Sequence, residues 1–87
     1  MSALLRELRR IFADREFDAT DAWRQSHDDP ALTAAIDAEV PRARYRSGLY
    51  CGEINRRALR MALRRLKGLK ARRQEDYWSF RCRGKEP

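Results

Sequence analysis

The chain has little of what builds a secreted, membrane-spanning or catalytic protein. Its two cysteines, Cys51 and Cys82, stand 31 residues apart. They are too few for a disulfide scaffold and match no CxxC zinc spacing. The expectation is two reduced, partly buried thiols in a cytoplasmic protein. No apolar run approaches the roughly 18 residues that cross a bilayer, so no membrane partner is expected. The opening string MSALLRELRRIFADRE is charged throughout and lacks the apolar centre of a signal peptide. Four glycines and three prolines are too few for a collagen-like or linker-dominated chain. His27 is the only histidine, and Ser26 and Asp28 beside it do not converge on one reacting atom. No P-loop, GxGxxG or HExxH string is present. Asp28-Asp29, just before Pro30, reads as a helix start rather than an acid–base pair. The sequence therefore points away from an enzyme and calls for no cofactor and no metal.

What is present is charge, unevenly placed. The 87 residues form one expected domain, 1–87, with 83–87 a frayed tail. Such a chain buries only roughly 60% of its unfolded surface, so the core is modest. Lys and Arg number 20, Asp and Glu 13, for a formal charge of +7. Residues 1–40 hold five arginines and nine acids, a net −4; residues 41–87 hold 15 cations and four acids, a net +11. A basic half joined to an acidic half predicts one positive surface and a polyanionic partner.

Periodicity places the elements. Ser2 can cap a first helix whose apolar face is Leu4, Leu5, Leu8, Ile11 and Phe12. Asp14 to Asp18 read as a polar turn containing Phe17. A second helix is expected from Thr20 as N-cap, with Asp21 at its positive end and Ala22 and Trp23 facing the core. Asp29 and Pro30 start a third helix, with Leu32, Ala35 and Ile36 inside and Pro41 as its stop. Residues 41–52, PRARYRSGLYCG, read as a basic loop with Arg42, Arg44 and Arg46, with or without one short strand at Leu49-Tyr50-Cys51 between Gly48 and Gly52.

The clearest pattern is a long helix over 53–67, EINRRALRMALRRLK. With Ile54 at 0° and about 100° per residue, the apolar arc runs through Ala58, Ala62, Leu66 and Leu59. Arg56, Lys67, Arg60, Arg64 and Arg57 share a stripe about 100° wide on the other side. Arg65 falls on the apolar side, from which it would snorkel. Glu53 is the only acid between Val40 and Gln74, so these cations have few local partners. Gly68 ends the helix. Leu69 to Arg73 and Tyr77 to Cys82 then alternate as a β-hairpin turning at Gln74-Glu75-Asp76. Phe12, Phe17, Trp23, Trp78 and Phe80 are expected in the core rather than as base-stacking platforms.

The string INRRALRMALRRLKGLKARRQEDYWSFR resembles the final helix-plus-wing segment of winged helix-turn-helix DNA-binding domains. Leu59, Leu63, Leu66, Gly68 and Leu69 occupy that segment's apolar and turn positions, and FDATDAW resembles the turn into the preceding helix. The resemblance covers about two-thirds of the chain. It implies a mainly α fold with a small C-terminal β-hairpin, here with an inserted helix between the second and the long basic helix. It also implies a DNA-binding protein, a transcriptional regulator or a mobile-element or phage accessory factor, whose 53–67 helix docks in the major groove of double-stranded DNA.

A helix fits that groove and presents its stripe to base edges and phosphates. Arg56, Arg57 and Arg60 would lie toward the bases, and Arg64 and Lys67 nearer phosphates. Arg72 and Arg73 would act from the wing, and Arg44 and Arg46 would extend the surface. Asn55 could read adenine if it points outward. Glu75 and Asp76 at the wing tip oppose phosphate. Homodimerisation is left open, with no heptad seam to show it. The alternative class is a protein-interaction module, a phage-type inhibitor or adaptor gripping a protein partner or a nucleoprotein complex through the same basic face.

Overall fold

The computed structural model describes residues 2–40 and 55–83. Four helices and three short strands follow in the order α1 (Ala3–Phe12), β1 (Phe17–Asp18), α2 (Ala19–His27), α3 (Pro30–Glu39), α4 (Arg56–Arg65), β2 (Leu69–Arg73) and β3 (Trp78–Cys82). The basic loop, Cys51 and the tail 84–87 lie outside the described residues.

Each helix begins where a side chain satisfies its free amides. Ser2 accepts from the Leu5 N–H at 3.1 Å and starts α1. Asp29 accepts from the Leu32 N–H at 3.1 Å, with Pro30 at the first helical position of α3. The second helix corrects the expectation. Thr20 lies inside it, and Asp18 is the N-cap, accepting from Asp21 N–H at 2.7 Å while Asp18 N–H donates back to the Asp21 carboxylate at 3.1 Å. This reciprocal pair satisfies two backbone donors and outcompetes a lone threonine hydroxyl. α1 ends under Arg15, whose guanidinium donates to the carbonyls of Ile11 and Phe12 at 2.8 and 3.3 Å. A cation there also meets the negative end of the helix dipole.

The hairpin forms as expected, but it is not alone. β1 adds to it, giving a three-stranded antiparallel sheet in the order β1-β3-β2. Phe17 pairs with Phe80 and Asp18 with Ser79, so the expected polar turn contains a strand. The pairing is driven by burial. Phe17 stacks on Phe12, with ring centroids 4.3 Å apart and planes 10° apart, and meets Phe80 at 6.1 Å. On the opposite face of the sheet, buried Ser79 donates to Glu16 at 2.9 Å and accepts from the Gln74 amide at 3.0 Å.

Leu4, Leu8, Phe17, Leu32, Ile36, Leu59, Leu63 and Phe80 form the fully buried centre. Each such side chain stabilises the fold by about 1.5–3 kcal/mol relative to exposure. α3 packs chiefly on α1 and α2, while α4 packs on α2 and the hairpin. Cys82 is a buried free thiol, and burial pushes its pKa up. Among the described residues, no helix is long and apolar enough to cross a membrane.

Gly68 is where α4 turns into β2. Its φ is +98°, and a Cβ there would run into the Leu5 side chain. Gly68→Ala therefore lowers unfolding stability by on the order of 2 kcal/mol in urea. Combining it with Leu5→Ala relieves the clash but not the backbone strain, so the two losses are less than additive. Full additivity would show that the two residues do not meet.

Asp29 also joins α3 to α1. Arg10 donates to it at 2.7 Å and to Glu7 at 2.7 Å. The Arg10 hydrogen bond, then the Leu32 amide, hold the Asp29 carboxyl below the usual carboxylate range. A depressed folded pKa contributes stability above the unfolded value, lost as pH falls through the folded one. Asp29→Asn keeps the cap oxygen and loses the charge. Its thermal midpoint lies below the parent's at pH 7, and the gap closes in acid below the normal aspartate pKa. A gap constant with pH would rule out the ion pair as its source.

Candidate nucleic-acid interface

The candidate surface is built on α4. Asn55 sets its start by accepting from the Ala58 N–H at 3.1 Å. Asn55 is therefore a cap, and its oxygen is not free to read a base. The helix ends at Arg65; Leu66 is extended and Lys67 lies in the turn with Gly68. The described helix is shorter than the expected 53–67, with residues 53 and 54 outside the described part. Its ten residues span about 15 Å at the standard rise.

Leu59 and Leu63 are fully buried, which fixes the rotation of α4 about its axis. Measured from Leu59 at about 100° per residue, Arg56, Arg60, Arg64 and Arg57 fall between about 60° and 160°. Arg56, Arg57 and Arg64 are exposed, and Arg60 is half-buried. Four of the five cations expected in the stripe share this arc of α4; Lys67 lies past the helix end. The arc is wider than expected, because Arg65 is exposed rather than lying against the core. Met61, 46% exposed, sits between Arg57 and Arg65 on the same arc. The sequence wheel missed both because it was anchored on Ile54. The stronger signal was the Leu59–Leu63 pair, four residues apart and followed by Leu66.

Two tryptophans expected in the core stand instead at its border, half-buried, each under a guanidinium. The Arg56 guanidinium lies 4.9 Å from the Trp23 ring centroid. Trp78 is met by Arg64 from α4 at 4.4 Å and by Arg73 from β2 at 5.7 Å. Such contacts are favourable by about 0.5–1 kcal/mol at exposed sites and restrict side chains that would otherwise sweep through solvent. Trp23 also holds His27 edge-on at 4.5 Å, which leaves that histidine as a helix-end packing residue.

A cleft of about 360 Å³ runs between the start of α2, α4 and the hairpin tip, lined by Asp18, Ala19, Thr20, Arg56, Arg57, Arg60, Tyr77 and Trp78. Among the described residues, no arginine of α4 has a carboxylate partner; the ion pairs of Arg10 lie on α1 and at the start of α3. The structure thus brings Arg56, Arg57, Arg60, Arg64 and Arg73 to one side. It does not bring Arg72 there. Side chains alternate along a strand, and Arg72 pairs with Ser79 on the face opposite Arg73 and Trp78. Arg44 and Arg46 lie outside the described residues. Among the described residues, no group of three or more His, Cys, Asp or Glu could hold a metal ion.

Comparison of the chain with protein-family models, with curated proteins and with solved structures gives no match in any of the three.

The Arg64–Trp78 contact can be measured. In a double-mutant cycle with Arg64→Gln and Trp78→Leu, unfolding free energies give a coupling of about 0.5–1 kcal/mol. A coupling near zero would mean that Arg64 is held by solvent alone.

Proposed function

We propose that this chain binds double-stranded DNA through the exposed face of α4, with phosphate attraction dominating and base contacts adding selectivity. The observation that carries the reading is the arc Arg56, Arg57, Arg60, Arg64 and Arg65, five guanidiniums on one ten-residue helix with no neutralising carboxylate among the described residues. Packing so much like charge on one surface is unfavourable in isolation. A polyanion converts that cost into affinity by releasing its condensed counterions.

The topology supports the same reading. The order α1-β1-α2, then α4-β2-β3, with strands arranged β1-β3-β2, resembles that of a winged helix-turn-helix carrying α3 as an addition. α4 then stands as the recognition helix and the hairpin as the wing. α3 packs chiefly on α1 and α2, away from the arginine face. Arg73, held over Trp78, extends the cationic surface from helix to hairpin. A role as transcriptional regulator or mobile-element accessory factor follows if the binding is sequence-selective.

Fluorescence anisotropy with random duplex across a salt series tests this. The intact chain gives a steep negative slope of log affinity against log salt. Arg60→Ala and Arg64→Ala each weaken binding and reduce the slope by about 0.9 for every phosphate that is no longer neutralised. Unchanged affinity and slope in both variants would remove α4 as the binding face. Absence of binding at low salt would transfer the basic face to an acidic protein partner.

A further inference from the structure

The cleft beside α4 is chemically divided in a way that duplex docking does not require. Its helix side carries Arg57 and Arg60, which have neither a carboxylate nor a ring partner among the described residues. Its hairpin side carries Tyr77, 47% exposed. Trp78 beside it is already occupied by Arg64 and Arg73, so Tyr77 is the aromatic surface left uncommitted. Thr20, in the first turn of α2, has a hydroxyl without a hydrogen-bond partner among the described residues.

The hairpin turn adds a directional constraint. Gln74 N–H donates to the Tyr77 carbonyl at 2.7 Å, closing the turn over Glu75 and Asp76, both exposed. Two carboxylates next to Tyr77 repel phosphate from the tip. Asp18, the carboxylate within the cleft lining, is engaged as the α2 cap, so an anionic group entering the cleft is driven to the arginine side, and the tyrosine ring is left for something flat and uncharged. A nucleotide has these two ends. A base inside a duplex has both faces covered by its neighbours and cannot use the ring, whereas an unpaired base can. The cleft volume of about 360 Å³ accommodates a small ligand rather than a helix of nucleic acid.

We propose that this cleft holds one unpaired nucleotide, its phosphate between Arg57 and Arg60 and its base stacked on Tyr77. The inference rests on the nucleic-acid reading of α4 and deepens it: the preferred target is a duplex that continues into single strand, with the duplex on α4 and the first unpaired residue in the cleft. The Thr20 hydroxyl is placed to donate to the same phosphate or to its sugar.

The test compares three probes with the intact chain at one salt concentration. They are a blunt duplex, the same duplex with a short single-stranded extension, and free dAMP, read by anisotropy for the first two and by tryptophan emission for the third. The extended duplex is expected to bind about tenfold tighter than the blunt one, the scale of one base–aromatic stack. Tyr77→Ala abolishes that advantage and leaves blunt-duplex affinity and the thermal midpoint unchanged. Tyr77→Phe, which keeps the ring, retains it. Quenching by dAMP that Tyr77→Ala removes, with no advantage for the extension, supports the cleft and assigns it to free nucleotide. If dAMP quenches while neither duplex binds, the cleft stands and the duplex reading of α4 fails. If blunt and extended duplexes bind equally and dAMP is inert, the duplex reading stands and the cleft proposal is overturned.

Discussion

The fold depends on what two residues do at once. Phe17 turns inward, stacks on Phe12 and pairs with Phe80, which draws the chain into register with β3. Asp18, the next residue, caps α2. One dipeptide thereby fixes the start of α2 relative to the sheet. Because α4 packs on both α2 and the hairpin, its position follows from the same anchor. The burial of Phe17 is a hydrophobic effect that tolerates small displacements. The capping box is directional and does not. Together they convert a loose collapse into one arrangement of helix against strand, and that arrangement opens the cleft between α2, α4 and Tyr77.

The sequence was most legible where a single chemical signal acts over a short range. Ser2 and Asp29 cap the helices expected of them, α3 begins at Pro30, and the hairpin strands alternate as written. The stripe on α4 was legible because leucine and arginine differ so sharply in hydration. β1 was not. A two-residue strand has no periodicity, and its existence depends on Phe80, more than sixty positions away in the chain. Asn55 was not legible as a cap for a different reason: with the helix expected to begin at residue 53, Asn55 fell inside it, whereas its side-chain oxygen accepts from the Ala58 N–H and starts the described helix. The two tryptophans stand at the border of the core rather than inside it. Their half-buried state reflects a neighbourhood of arginines, which lets an indole be apolar beneath and electrostatically useful above.

The same reasoning explains why the arginines of α4 differ from one another. Arg56 and Arg64 are restrained over indole rings, so they form a preset cationic surface that would lose little freedom on meeting a polyanion. Among the described residues, Arg57 and Arg60 meet no such ring, and they line the cleft. Restrained arginines suit the repeating backbone of a polyanion, where register matters. Free ones suit a local ligand that the side chains can close upon. Arg72 stands apart from both groups because strand alternation turns it to the other face of the sheet. Its neighbours there, Lys70 and Arg81, keep an exposed sheet surface charged and discourage strand-to-strand association.

The central claim is that the outer face of α4, and not the α1–α3 side, meets nucleic acid. The most direct measurement is a ¹⁵N–¹H titration of the protein with duplex DNA, following backbone amides and arginine side-chain Nε–H resonances together. The account predicts the largest shifts at Arg56, Arg57, Arg60, Arg64 and Arg65, with Trp78 following through Arg64, while Leu4, Leu8, Ala35 and Ile36 stay in place. Shifts concentrated on α1 and α3, with the α4 guanidiniums unmoved, would contradict it.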